Sequence, residues 1–138
     1  MGPGNVTPDS RAYQTNEVWL EFGDGEYLFK LKLKQIAMLE ESCGEGIGTL
    51  YARVELGQYY AKDLTEVIRL GLTGGAKGIV AEQELSVSPE KATKLVTQYC
   101  DRPLEEIWTI ARAVYRACIH GYAPRETKPG KNEASTQT

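Results

Sequence analysis

Apolar residues along this chain change their spacing once, decisively, and the change separates two kinds of element. In VWLEF (18–22), Val18, Leu20 and Phe22 alternate with Trp19 and Glu21, the period of two of a strand with one face on a core. Gly23-Asp24-Gly25-Glu26 follows as a turn whose glycines accept positive φ, and YLFKLKLK (27–34) alternates again. Tyr27, Phe29, Leu31 and Leu33 fall on one side of this return strand. Leu28, Lys30, Lys32 and Lys34 fall on the other, which the lysines mark as wet. The pattern predicts a hairpin.

From Gln35 onward the spacing is helical. Ile36, Leu39 and Cys43 share a face and stop at Gly44, a C-terminal cap. A second short helix is predicted over TLYARVEL (49–56), with Leu50, Tyr51 and Val54 in register and Gly57 after it. Asp63 has the spacing of an N-cap, with Glu66 three residues on and Leu64, Val67, Ile68 and Leu72 behind it. Ser88-Pro89-Glu90 combines a cap, a proline in the first turn and an acid near the positive dipole end, and Ala92, Leu95, Val96 and Tyr99 line the helix it starts. The last helix opens at Pro103 and runs to Gly121, with Leu104, Ile107, Trp108, Ala111, Val114, Tyr115 and Cys118 on one face. The expected architecture is α+β: an N-terminal β-hairpin followed by about five α-helices. Residues 1–16 and 123–138 are poor in large apolar side chains and are expected to be disordered, which leaves 17–122 as a single domain. A lone hairpin is marginal, so it must pack on the helices or pair with another copy, and a homo-oligomer is one expectation.

Composition narrows the function. The chain has 138 residues, 41% apolar and 25% charged, enough for one core. Sixteen basic against nineteen acidic residues give a net charge of −3, so no overall field draws it to nucleic acid. No apolar run reaches the roughly 20 residues of a membrane span, and no secretory leader opens the sequence. Cys43, Cys100 and Cys118 stand at no metal spacing and read as reduced, mostly buried thiols in a cytoplasm.

Candidate chemistry is thin. GLTGGAKG (71–78) suggests a phosphate-binding loop, but Ala76 stands where the motif needs glycine and Gly78 where it needs a hydroxyl. The segment before it is a helix, whose C-terminal end repels phosphate, so the stretch reads as a helix stop and a flexible connection to Ser88. GEGIGT (44–49) lacks the third glycine of a dinucleotide fingerprint and reads as a joint between two helices. His120, the single histidine, sits at a helix C-terminus where the dipole favours it, and Cys118 beside it points elsewhere. The acid pairs Glu40-Glu41, Glu82/Glu84 and Glu105-Glu106 have no partner motif. No catalytic residue, cofactor site or metal site emerges. Trp19, Tyr59 and Tyr60 have no obvious place in the core and are the candidate partner contacts.

The order of motifs adds a resemblance. It rests on the strand pair leading into a leucine-glutamate helix, Asp63-x-x-x-Val67-Ile68-Arg69-Leu70-Gly71-Leu72 with Gly74-Gly75 after it, and Pro103-Leu104-Glu105 before an alanine-rich helix ending at Gly121. Over about residues 17–121 this string resembles the tail proteins of the gene-transfer-agent family, small proteins of phages and prophages described as tail tube components or as tail assembly chaperones. The resemblance implies a non-catalytic assembly protein that holds tape-measure and tube subunits soluble in the bacterial cytoplasm. The alternative it carries is a structural tube component of the particle, and a small nucleotide-binding protein is the remote third reading.

Overall fold

The computed structural model describes residues 15–122 of the chain; the expectations for 1–14 and 123–138 lie outside them. In order the elements are β1 (Glu17–Phe22), β2 (Gly25–Lys30), α1 (Leu33–Cys43), α2 (Ile47–Glu55), α3 (Ala61–Gly75), β3 (Lys77–Val80), β4 (Gln83–Ser86), α4 (Pro89–Tyr99) and α5 (Leu104–His120). The α+β expectation holds, with one addition. The strands form a single antiparallel sheet in the order β1-β2-β3-β4, so the first hairpin is joined by a second one that the sequence pattern did not reveal.

The first hairpin forms as its alternation dictates. Val18 pairs with Phe29 and Leu20 with Tyr27, and Gly23 takes the positive φ of the two-residue turn. Phe22 meets the rings of Tyr27, Phe29 and Tyr99 edge-on, with centroids 6.0–6.3 Å apart, which ties both strands to α4. The return strand, however, stops at Lys30 rather than running to Lys34. The Lys32 N–H donates to Gln35 Oε1 at 3.2 Å, and α1 begins at Leu33, whose side chain is 84% exposed instead of facing the core. Leu28 is corrected too: it is buried, because Trp19 lies across from it and the end of α3 lies against it. The lysine row of the sequence pattern therefore does not exist as a strand face.

Helix α3 is the centre of the fold, in contact with β2 and with all four other helices. Leu64, Val67, Ile68, Leu70 and Leu72 are fully buried on it. It begins three residues earlier than expected, with Tyr60 as its N-cap, so Asp63 is its third residue. It also ends later. Gly71, Gly74 and Gly75 lie inside the last turns, and Ala76 takes the left-handed cap position at φ 62. A Cβ on Gly74 would overlap the carbonyl oxygen of Lys30, and one on Gly75 the carbonyl oxygen of Leu28. The two glycines let the helix lie directly on the β2 backbone. Helix α2 starts at Ile47 rather than Thr49 and is capped by Leu56 rather than Gly57, whereas the expected caps at Gly44, Ser88 and Gly121 form. Gly44 ends α1 at φ 76, and Ser88 Oγ accepts the Lys91 N–H at 3.1 Å to open α4.

The stretch after Gly75 is a tight hairpin rather than a flexible connection. Val80 pairs with Gln83, leaving Ala81 (φ 51) and Glu82 (φ 65) as a two-residue turn with positive φ at both positions. That is the type I′ pattern, normally made by Asn-Gly, and L side chains there cost about 1–2 kcal/mol each. Combining Ala81→Asn with Glu82→Gly is expected to stabilise the protein by about 1 kcal/mol and raise its melting midpoint by about 4–8 °C. Scanning calorimetry showing no rise would mean that the turn is not strained.

Candidate functional site

Of the three aromatic side chains that the sequence singles out, two stand together near solvent and the third lies apart. Tyr59 and Tyr60 lie in the link between α2 and α3, as the sequence suggested. Trp19 does not join them. It sits half-buried on the face of β1 opposite Val18 and Phe22, beside Leu28 on the far side of the sheet.

The gathering at the α2–α3 link is organised by Trp108, which the sequence pattern assigned to the core face of α5. The chain places it half-buried, with Nε1–H donating to the Val54 carbonyl at 2.7 Å. That carbonyl belongs to the last turn of α2 and also accepts the Gly57 N–H at 3.2 Å, so the indole adds a second donor, from another helix, to the end of α2. Tyr59 stacks on Trp108, with centroids 6.4 Å apart and planes 27° from parallel, and the Arg112 guanidinium lies 4.9 Å from the indole centroid. Leu104, one turn before Trp108, is 44% exposed although its spacing predicted a core position. Leu56, between Val54 and Tyr59 in the chain, is 70% exposed.

Tyr60 is held differently. Its ring is 67% exposed, and the Arg53 guanidinium sits 4.7 Å from its centroid. Arg53 is in turn fixed by both oxygens of Asp63, from Nη2 to Oδ1 at 2.9 Å and from Nε to Oδ2 at 3.0 Å. Asp63, 1% exposed, also accepts the Tyr60 N–H at 3.0 Å, and its own carbonyl accepts the Tyr115 hydroxyl at 2.9 Å. Donating its hydrogen bonds to Asp63 holds the Arg53 guanidinium above the usual arginine range. A short way along, Glu55 takes a two-pronged contact from Arg116, at 2.7 and 3.0 Å, and the Arg112 Nε lies 3.5 Å away. The hydrogen bond from Arg116, seconded by both arginine charges, keeps the Glu55 carboxyl below the usual carboxylate range.

Arg112 and Arg116 also border an open groove of about 680 Å³ between β1 and α5, which Val18, Leu20, Tyr51 and His120 help to line. Its one histidine is occupied: His120 Nε2 stands 3.0 Å from the Tyr51 hydroxyl. Burial raises the thiols of Cys43 and Cys100 to about 11 and that of Cys118 in the same direction, so all three are protonated at neutral pH and poor nucleophiles. Among the described residues no group of histidine, cysteine and acidic side chains is placed to hold a metal. No helix of these residues is long and apolar enough to cross a membrane. Lys77, the lysine of the glycine-rich stretch, is exposed on β3 with no phosphate cradle around it.

Tyr59 and Tyr60 could be read from sequence because no helix claimed them. Trp108 and Leu104 could not, since they fit the apolar spacing of α5; Arg53 and Arg112 gave no signal, because their aromatic partners are set by tertiary packing.

These features define a class: a small α+β fold with an aromatic and arginine-rich surface. The family model described as "Phage tail tube protein, GTA-gp10" matches residues 15–121. The chain belongs to this family of phage tail proteins. No curated protein and no solved structure matches it.

Proposed function

We propose that the protein is a non-catalytic tail assembly factor, which holds tape-measure or tube subunits in the host cytoplasm until the tail polymerises. The observation that carries this reading is the surface of Leu56, Tyr59, Tyr60, Leu104 and Trp108, with Arg53 and Arg112 over two of its rings. Aromatic and arginine side chains dominate binding energy at protein interfaces, and here they stand on helix ends that fix their geometry before any partner arrives. An amphipathic helix laid across such a surface would bury its apolar face against Leu56 and Leu104, a familiar mode of helix recognition.

The second reading, a structural tube component, is favoured by the family's own description. Co-expression with the tape-measure and tube proteins of the same element, followed by mass spectrometry of finished particles, separates the two. The assembly factor should co-purify with one of those proteins and be absent from particles. Finding it in particles at the abundance of the tube would overturn the proposal. Tyr60→Ala and Leu56→Ser are each expected to weaken co-purification about tenfold or more while leaving the melting midpoint close to that of the parent, since both side chains are largely exposed.

A further inference from the structure

The sheet ends on two unlike edges. Beside the start of β1, Thr15 and Tyr122 exchange backbone hydrogen bonds of 3.0 and 2.8 Å, and α5 packs on β1. At the other edge β4 is held by β3, no helix of the described residues packs substantially on it, and three of its four residues are exposed. QELS carries neither the lysine nor the proline with which sheet edges are commonly closed, and its register with β3 is unbroken by a bulge.

The parity of the ladder says which groups are open. A two-residue turn closes on a hydrogen-bonded pair, here Val80 with Gln83, and the Val87 N–H donates to the Ala76 carbonyl at 3.0 Å in the same alternation. Gln83 and Leu85 therefore spend their backbone groups on β3, whereas Glu84 and Ser86 turn theirs outward. The side chains form rows across the strands. On the outer face Glu21, Glu26, Ile79 and Glu84 follow one another, with Lys77 and Ser86 in the next row. On the inner face the row is Leu20, Tyr27, Gly78 and Leu85, and Leu85 packs on the edge of the core.

We propose that β4 is a docking edge that accepts an extended segment of a partner protein as a fifth strand. The segment has lysine or arginine opposite Glu84, where it continues the acidic outer row, and an apolar β-branched residue opposite Leu85, where it continues the inner one. A second copy of this chain fits poorly, since QELS brings no positive charge to that row. The edge is separate from the Leu56–Trp108 surface, and either can fail without the other.

Nuclear magnetic resonance on the isotope-labelled full chain tests this with a blocked hexapeptide that alternates lysine with valine between terminal threonines. The peptide should shift and protect the Glu84 and Ser86 amides, and its glutamate-for-lysine counterpart should bind about fivefold more weakly. Glu84→Lys should reverse that preference. Ser86→Pro removes an outward N–H without touching the β3 ladder, so it should leave the melting midpoint in place and abolish binding; where proline disturbs the fold, the Glu84→Lys arm decides. Equal binding of the two peptides, no protection at Glu84 and Ser86, or self-association through β4 without peptide would each overturn the proposal.

Discussion

Gly74→Ala is expected to destabilise the protein by about 3 kcal/mol or more, although it puts a better helix former into a helix. Two effects compete. Alanine gains about 1 kcal/mol over glycine in helix propensity. Against that, its Cβ would overlap the Lys30 carbonyl oxygen, a backbone atom of β2 that no rotamer change can move. The helix would have to retreat from the strand, opening contacts along the most buried element of the fold. Gly75→Ala meets the Leu28 carbonyl in the same way. Two other glycines calibrate the claim. At Gly71 a Cβ would sit 3.1 Å from Phe29 Cδ2 and 3.3 Å from Val114 Cγ1, side-chain atoms able to shift, so that variant should fall within about 1 kcal/mol of the parent. At Gly48, in α2, nothing lies within 4 Å, and alanine should stabilise by roughly 0.5–1 kcal/mol. Urea titrations of the four variants check the order; a Gly74→Ala protein as stable as Gly71→Ala would show that α3 does not need its close approach to β2.

The same glycines explain where the sequence misled. In isolation a helix should stop near Gly71, because glycine is a poor helix former and a common cap, and Gly74-Gly75 strengthens that reading. What keeps α3 helical to Gly75 is its contact with β2, a tertiary effect that a one-dimensional pattern does not contain. The second hairpin leaves no mark on the sequence pattern for a related reason. Each of its strands has four residues, too few for alternation to stand out, and Ala81-Glu82 lacks the Asn-Gly signal of the turn it makes. By contrast α5 was plain, since an apolar stripe repeating over 17 residues has few competing interpretations. The candidate site was legible only in its outermost parts. Tyr59 and Tyr60 stood out as aromatics between helices, but the Trp108 indole and the arginines over the rings acquire their roles only when α2, α3 and α5 come together.

Asp63 joins the stability of the domain to the shape of that site, and Asp63→Ala is expected to impair both. The carboxylate is almost wholly buried and accepts three hydrogen bonds, two from Arg53 and one from the Tyr60 N–H. Removing it empties a buried position and takes the acceptor from a guanidinium and a backbone donor, which should lower the stability clearly. The loss should exceed that of Tyr115→Phe, which gives up one neutral hydrogen bond to the Asp63 carbonyl and should cost about 1 kcal/mol. Asp63 also holds Arg53 in place against Tyr60, so its loss frees the ring as well. Asp63→Asn separates the two effects, because an amide retains an acceptor for the Tyr60 N–H while giving up the two-pronged charge contact with Arg53. It should unfold at a denaturant concentration between those of the parent and Asp63→Ala, and it should weaken partner capture more than its modest loss of stability explains. An Asp63→Asn protein that is destabilised yet captures tape-measure or tube protein as well as the parent does would detach Arg53 and Tyr60 from binding, and leave Asp63 as a purely structural residue.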